Sequence, residues 1–126
     1  MPAVSAFDDV QELVPQQIWD GVVGRSVHGA EATLSVLTLE PEIKVPEHSH
    51  VNEQIGVLIH GSVTFRIGDE EKEVRPGATW VIPAHVPHSV DVGPRGASIV
   101  EIFAPPRTDW AGLTELEPGT PAGFGL

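Results

Sequence analysis

Alternation of apolar and polar residues dominates the chain, and this pattern predicts strands rather than helices. Residues 32–40 alternate strictly, residues 55–59 form a short apolar run, and residues 62–68 alternate again. Successive side chains on a strand point to opposite faces, so a period of two is typical of β structure. The same reasoning predicts further strands over residues 72–74, 79–82, 88–92 and 97–103, and a strand with a bulge or bend at its two glycines over residues 17–27. No stretch has the apolar spacing of an amphipathic helix.

Glycine and proline separate these predicted strands at short intervals. Turns are predicted at residues 68–71, 75–77 and 93–96, and two prolines make residues 104–110 irregular or extended. Short strands with regular Gly/Pro turns indicate an all-β fold, an antiparallel sandwich or barrel. We expect one domain over residues 1–126, made of an N-terminal arm (1–16), a core (about 17–110) and a C-terminal tail (111–126).

The composition limits the classes of partner. The chain has 126 residues, which fits one domain, and a formal net charge of −11 from only 7 basic and 18 acidic residues. Nucleic acid is not expected as a partner, because phosphate contacts need clustered Lys and Arg. No apolar run reaches the roughly 18 residues of a membrane helix, and no signal-peptide pattern is present. The absence of cysteine excludes disulfides and thiolate ligands and fits a cytoplasmic protein.

A group of histidines forms a candidate metal site. His48 and His50 are two residues apart, so both imidazoles project from one face if this segment is an extended strand. Gln54 adds an oxygen donor four residues later, and His88 follows in a proline-bounded turn. Imidazole is the commonest metal ligand, and a few side chains with open positions suit a divalent transition metal.

The spacing of these residues resembles the two motifs of the cupin superfamily. The first motif is H-x-H, three or four residues, a carboxylate, six residues and a glycine. Here three residues separate His50 from Gln54, and six separate Gln54 from Gly61. The second motif is a glycine, five residues, a proline and then a histidine, as in residues 77–88. The motif-level resemblance covers about residues 44–92.

This resemblance implies a small antiparallel β-barrel of the jelly-roll type, the double-stranded β-helix. In that fold the two motifs form neighbouring strands, and their ligands converge in the mouth of the barrel. The resemblance thus assigns four ligands to one divalent transition metal (Zn, Ni, Mn or Fe): His48, His50, Gln54 and His88. Three positions depart from the motifs, since Gln54 replaces a glutamate, His85 a glycine and Val92 an asparagine. None of these removes a histidine ligand.

Gln54 has two interpretations. As a neutral ligand it leaves the metal charge without a protein carboxylate to offset it, which favours an anionic substrate at the metal. Alternatively, Gln54 hydrogen-bonds a ligand histidine without touching the metal. Glu53 points to the other face of the strand, and His60 and His85 are interpreted as residues that do not bind the metal.

A second candidate cluster follows on the last predicted strand. Glu101 and Phe103 share one face, and Arg107 comes after two prolines. Arginine can bind a carboxylate through two hydrogen bonds, and a carboxyl group can transfer a proton when its surroundings tune it. Each residue alone is an ordinary surface or core residue. Together they indicate substrate-binding and catalytic residues.

This cluster is similar to one in the KdgF-type cupins, which linearise 4,5-unsaturated monouronates. In that family three histidines and a glutamine bind the metal, and an aspartate, a phenylalanine and an arginine serve the substrate. Phe103 and Arg107 match, whereas Glu101 is one methylene longer than the family aspartate. The resemblance implies a metal-dependent enzyme for a small carboxylated sugar, with Glu101, Phe103 and Arg107 in the catalytic set.

Two alternatives stay open at this point. One is an iron-dependent dioxygenase of the three-histidine cupin type, which uses the same ligands. The other is a non-catalytic cupin that binds a small ligand, since one fold hosts many functions. For either enzyme we expect a small anionic substrate and no membrane contact. A homodimer is expected as well, because open sheet edges in small β proteins are usually covered.

Overall fold

The computed structural model describes residues 5–118 of the chain, and strands make up most of this region. Short 3-10 helices lie near its two ends, Val10–Glu12 and Thr108–Gly112. The described residues form eight strands: β1 (Gln16–Trp19), β2 (Val22–His28), β3 (Thr33–Leu39), β4 (Lys44–His48), β5 (Glu53–Ile67), β6 (Glu70–Val74), β7 (Thr79–Ile82) and β8 (His88–Ala104). None of the helices in residues 5–118 is long and apolar enough to cross a membrane.

All strand pairs are antiparallel, and together they form the jelly-roll barrel of the cupins. The main order is β1-β2-β3-β8-β5-β6, with β4 paired to β8 and β7 paired to β5. The two long strands β5 and β8 run side by side, and each also pairs with two further strands: β5 with β6 and β7, and β8 with β3 and β4. The predicted all-β antiparallel fold is therefore confirmed.

The barrel interior is apolar over most of its length. Leu58, Val63, Ile82 and Ile99 are at most 1% exposed. Each lies on the inward face of its strand, because the alternation of β5, β7 and β8 sends every second side chain inward. These four side chains form part of the apolar core of the barrel.

Two local predictions were wrong. Residues 17–27 are not one strand, because a turn with Gly21 at φ 81° separates β1 from β2. The predicted turn at residues 93–96 is instead a bulge within β8: Gly61 pairs with Ala97 and Val63 with Val92, so one residue of β5 faces four of β8. The bulge forms because Gly61 and Gly96 let the two backbones approach closely; a Cβ on Gly61 would lie 1.9 Å from the Gly96 oxygen.

The first part of the tail packs on the start of the barrel. The Gln17 N–H donates to the Thr114 oxygen at 2.9 Å, and the Leu116 N–H donates to the Pro15 oxygen at 2.7 Å. The tail thus begins as an edge partner of β1. Residues 1–4 of the predicted arm and 119–126 of the predicted tail lie outside the described residues.

Candidate metal centre

Three histidines converge at the mouth of the barrel. His48 ends β4, His88 begins β8, and the two residues face each other in the β4–β8 ladder. His50 lies in the loop after β4, so the prediction that an extended strand carries both H-x-H imidazoles was wrong. Its imidazole nevertheless reaches the other two. One ring nitrogen from each histidine lies within 4.8 Å of the others.

Backbone carbonyls fix the orientation of all three rings. The Nδ1 of His48 lies 2.8 Å from the Pro46 oxygen, that of His50 2.9 Å from the Asn52 oxygen, and that of His88 2.9 Å from the Val86 oxygen. A carbonyl oxygen only accepts, so each Nδ1 carries the proton and donates it. Each Nε2 therefore keeps a free lone pair, which is the form of imidazole that binds metals.

His88 shows most directly that these lone pairs fit a cation. It is 2% exposed, and its Nε2 is buried without a hydrogen-bond partner among the described residues. Burial lowers the pKa of His88 to about 4, so the ring is neutral near pH 7. Burial and the Arg107 charge also lower the pKa of His50. A buried acceptor without a donor is costly, and a bound divalent metal would satisfy it.

Gln54 extends the histidine cluster toward β8. Its Nε2 donates to the Glu101 carboxylate, and this bond directs the amide oxygen Oε1 to the His50 Nε2 at 2.9 Å. Because His50 donates through Nδ1, its Nε2 and the Gln54 oxygen are two acceptors facing each other. Two facing lone pairs repel unless a cation lies beside both. The geometry thus favours the interpretation of Gln54 as a ligand.

Glu101 is a buried carboxyl behind this amide. It is 5% exposed, and its Oε2 accepts from the Trp80 Nε1 at 2.9 Å as well as from Gln54. Burial raises the pKa of Glu101, while the bonds from Gln54 and Trp80 act in the opposite direction. In the sheet, Gly56 of β5 lies between Trp80 of β7 and Glu101 of β8. The indole reaches across β5 because Gly56 has no side chain there.

Arg107 follows β8 and lies against the same cavity. Its guanidinium carbon is 5.0 Å from the Phe103 ring centroid and 4.4 Å from that of Trp110. Its backbone N–H donates to Thr33 Oγ1 at 2.9 Å. Asp109 accepts two hydrogen bonds from the guanidinium, at 3.1 and 3.0 Å. The cation is therefore fixed in position by packing and by hydrogen bonds.

The structure brings every predicted site residue into one cavity. It is lined by the candidate metal ligands and the predicted catalytic residues, with apolar side chains around them: His48, His50, Gln54, His88, Glu101, Phe103 and Arg107. His60 and His85 are exposed and do not line this cavity.

The sequence reasoning missed Asn52, which connects the two halves of the site. It is 3% exposed, its carbonyl accepts from His50, and its side-chain amide donates to the Pro105 oxygen. The residue thereby ties the metal-binding loop to the segment that leads to Arg107. An asparagine in the short loop between His50 and Gln54 was the available signal, and it is a weak one.

A small antiparallel barrel with inward-facing histidines at its mouth defines a metal-binding cupin. In agreement, the profile of the cupin domain family matches residues 35–103, more than half of the chain. The chain therefore belongs to the cupin family. The three-histidine cluster indicates a site for a single metal ion. No curated protein matches the chain.

Several solved structures share this fold. An RmlC-like cupin from Shewanella frigidimarina has a TM-score of 0.78 and 18% identity, over 85% of this chain and 96% of its own. KdgF from Halomonas sp. has a TM-score of 0.76 and 20% identity, over 84% of this chain and 98% of its own. A variant of oxalate decarboxylase from Bacillus subtilis has a TM-score of 0.70 and 22% identity, over 82% of this chain but 30% of its own.

Proposed function

We propose that this cupin is a metal-dependent enzyme that linearises 4,5-unsaturated uronates or closely related sugar acids. One observation carries the proposal: a single cavity holds three imidazoles, a buried carboxyl and a fixed guanidinium. These groups suit a substrate with one carboxylate and a proton to move. The similarity to KdgF from Halomonas sp. supports the choice of substrate class.

The metal would be held by the Nε2 atoms of His48, His50 and His88 and by the amide oxygen of Gln54. When bound, a divalent ion supplies Lewis-acid chemistry toward a carboxylate or ring oxygen. Gln54 adds no charge of its own, but its amide nitrogen donates a hydrogen bond to Glu101. A carboxylate therefore lies directly behind this ligand.

The protein groups divide the remaining work. Arg107 binds the substrate carboxylate, since a guanidinium matches its two oxygens. Phe103 forms an apolar wall beside His50, with ring centroids 6.0 Å apart, and excludes water from that side. Glu101 acts as the proton carrier, because burial raises its pKa above that of an ordinary carboxyl and so favours a group that can hold and release a proton.

The reaction is an isomerisation that needs no oxidant. The anomeric hydroxyl loses its proton as the bond between C1 and the ring oxygen breaks, and the ring oxygen gains a proton, which leaves an aldehyde at C1 and an enol at C5. The enol then loses its O–H proton while C4 gains one, giving the keto acid. Glu101 carries protons in these steps, and Arg107 keeps the carboxylate at C5 in place.

The test is the enol absorbance of an unsaturated galacturonate mixed with the metal-loaded protein. We expect faster decay than the spontaneous rate, loss of this acceleration in Glu101→Gln, and a raised KM in Arg107→Lys, which keeps the charge but not the planar fork. Equal rates with and without protein would contradict the proposal. A requirement for oxygen would instead support the dioxygenase, and binding without turnover would support the non-catalytic cupin.

We further propose a cytoplasmic homodimer, and one face of the barrel suits it. Five exposed apolar residues pair in register across β7, β5, β8, β3 and β2: Val81, Ile55, Ile102, Leu34 and Val27. Exposed apolar patches of this kind mark interaction surfaces. In such a dimer, this row of five apolar residues would pack against the same row of the second copy, and the acidic surface would stay in water.

A further inference from the structure

The guanidinium of Arg107 already binds a carboxylate of its own chain. Asp109 accepts two hydrogen bonds from one edge of the guanidinium, from Nε to Oδ1 at 3.1 Å and from Nη2 to Oδ2 at 3.0 Å. Phe103 and Trp110 lie against the same group. This two-point contact is the one that an arginine makes with a bound carboxylate. An internal anion therefore occupies the group that would bind the substrate.

The two partners differ in how firmly they are held. The Arg107 side chain is 12% exposed and is stacked on aromatic rings, whereas the Asp109 side chain is 63% exposed. Water can hydrate Asp109 as soon as it leaves the pair. An ion pair with one exposed partner contributes little net stability, so Asp109 can leave Arg107 at low cost. Arg107 can thus stay in place while Asp109 moves away.

We propose that Asp109 is a built-in competitor for Arg107, which the carboxylate of an incoming sugar acid displaces. This inference rests on the proposed function, because it assumes that Arg107 receives the substrate carboxylate. A small acid such as acetate would exchange one carboxylate for another and gain little. A sugar acid would also contact a bound metal and the apolar wall formed by Phe103, and these contacts would outweigh the lost ion pair. Asp109 would then set specificity against small carboxylates.

The experiment compares Asp109→Asn with Asp109→Glu, a matched variant that keeps the carboxylate. Calorimetric titration of each protein, at equal metal content and with its folding checked by circular dichroism, uses acetate and D-galacturonate as probes and galactose as the uncharged control. We expect Asp109→Asn to bind acetate about fivefold more tightly than the parent, the factor that corresponds to roughly 1 kcal/mol for an exposed pair. Asp109→Glu should bind it like the parent.

The outcomes separate this inference from the proposed function. Unchanged or weaker acetate binding by Asp109→Asn would overturn the competitor role, because it would mean that Asp109 orients Arg107 or has no influence on the site. The variant Arg107→Met tests the function itself. If the parent binds galacturonate no better than galactose and Arg107→Met changes nothing, the carboxylate-binding role of Arg107 is wrong, and the competitor role with it.

Discussion

Gly56→Ala tests the contact between Trp80 and Glu101, which lies directly behind the metal ligands. A Cβ at this position would lie 2.5 Å from two atoms of the Trp80 indole, Cε2 and Nε1. Real Cβ contacts are ordinary at 3.4–4 Å, so the indole must move by about 1 Å. It has little room, because Trp80 is 7% exposed and its ring centroid lies 4.5 Å from that of Phe65.

Two costs add up in this variant. Forcing an extra methyl group into a packed interior costs about 1–3 kcal/mol. Displacing the indole also removes its hydrogen bond to Glu101, and a bond to a charged group contributes about 1.5–3 kcal/mol. Alanine also lowers the conformational entropy of the unfolded chain relative to glycine, which stabilises the folded state by about 0.4–1 kcal/mol. The expected loss is therefore about 2–5 kcal/mol, a large part of the stability of a small domain.

Urea unfolding of the metal-free protein measures this loss, with Gly112→Ala as the matched control. A Cβ on Gly112 meets nothing within 4 Å, so that variant should stay within about 1 kcal/mol of the parent. The midpoint of Gly56→Ala should fall at an unchanged slope. If its free energy of unfolding equalled that of Gly112→Ala, the contact between Trp80 and Glu101 across Gly56 would not stabilise the fold.

Two further outcomes follow from the site and the surface. In the metal-free protein, burial lowers the pKa of His88 from 6.5 to about 4. Because the folded protein favours neutral His88, its contribution to the free energy of unfolding is fully present above pH 6.5 and is lost as the pH falls toward 4. Between pH 6.5 and 4, the free energy of unfolding of the parent should fall by about 3 kcal/mol more than that of a His88→Asn variant. If the free energies of unfolding of the two proteins ran parallel with pH, the assigned burial of His88 would be wrong. Ile102→Asp, in the centre of the apolar row, should shift the sedimentation of the proposed dimer toward monomer, whereas Val51→Asp, which is 57% exposed and outside the row, should not. Equal sedimentation of the two variants would place the contact elsewhere.

The local parts of the site could be predicted from the sequence. His48, His50 and Gln54 lie within seven residues, so their spacing alone restricts where their side chains can meet. His50 also shows the limit of this reasoning: it was predicted on a strand but lies in a loop. The loop still delivers its ring to the site, because the Asn52 carbonyl holds Nδ1 and turns Nε2 inward.

The contacts between distant strands could not be predicted. Trp80, Gly56 and Glu101 meet because β7, β5 and β8 are adjacent and in one register, and sequence alone does not give register between strands separated by tens of residues. The same limit explains the missed bulge at residues 93–96. Glycine and proline there indicate a turn locally, but the long ladder between β5 and β8 keeps the strand continuous.

The most direct test of the account is elemental analysis of the purified protein beside two variants. We predict close to one divalent transition metal per chain in the parent, and loss of most of it in both His88→Ala and the less buried His48→Ala. Circular dichroism would check that each variant keeps its strands. A parent that contains no metal and resists loading, or folded variants that retain the parent's metal content, would contradict the assignment of the histidine cluster as the metal centre.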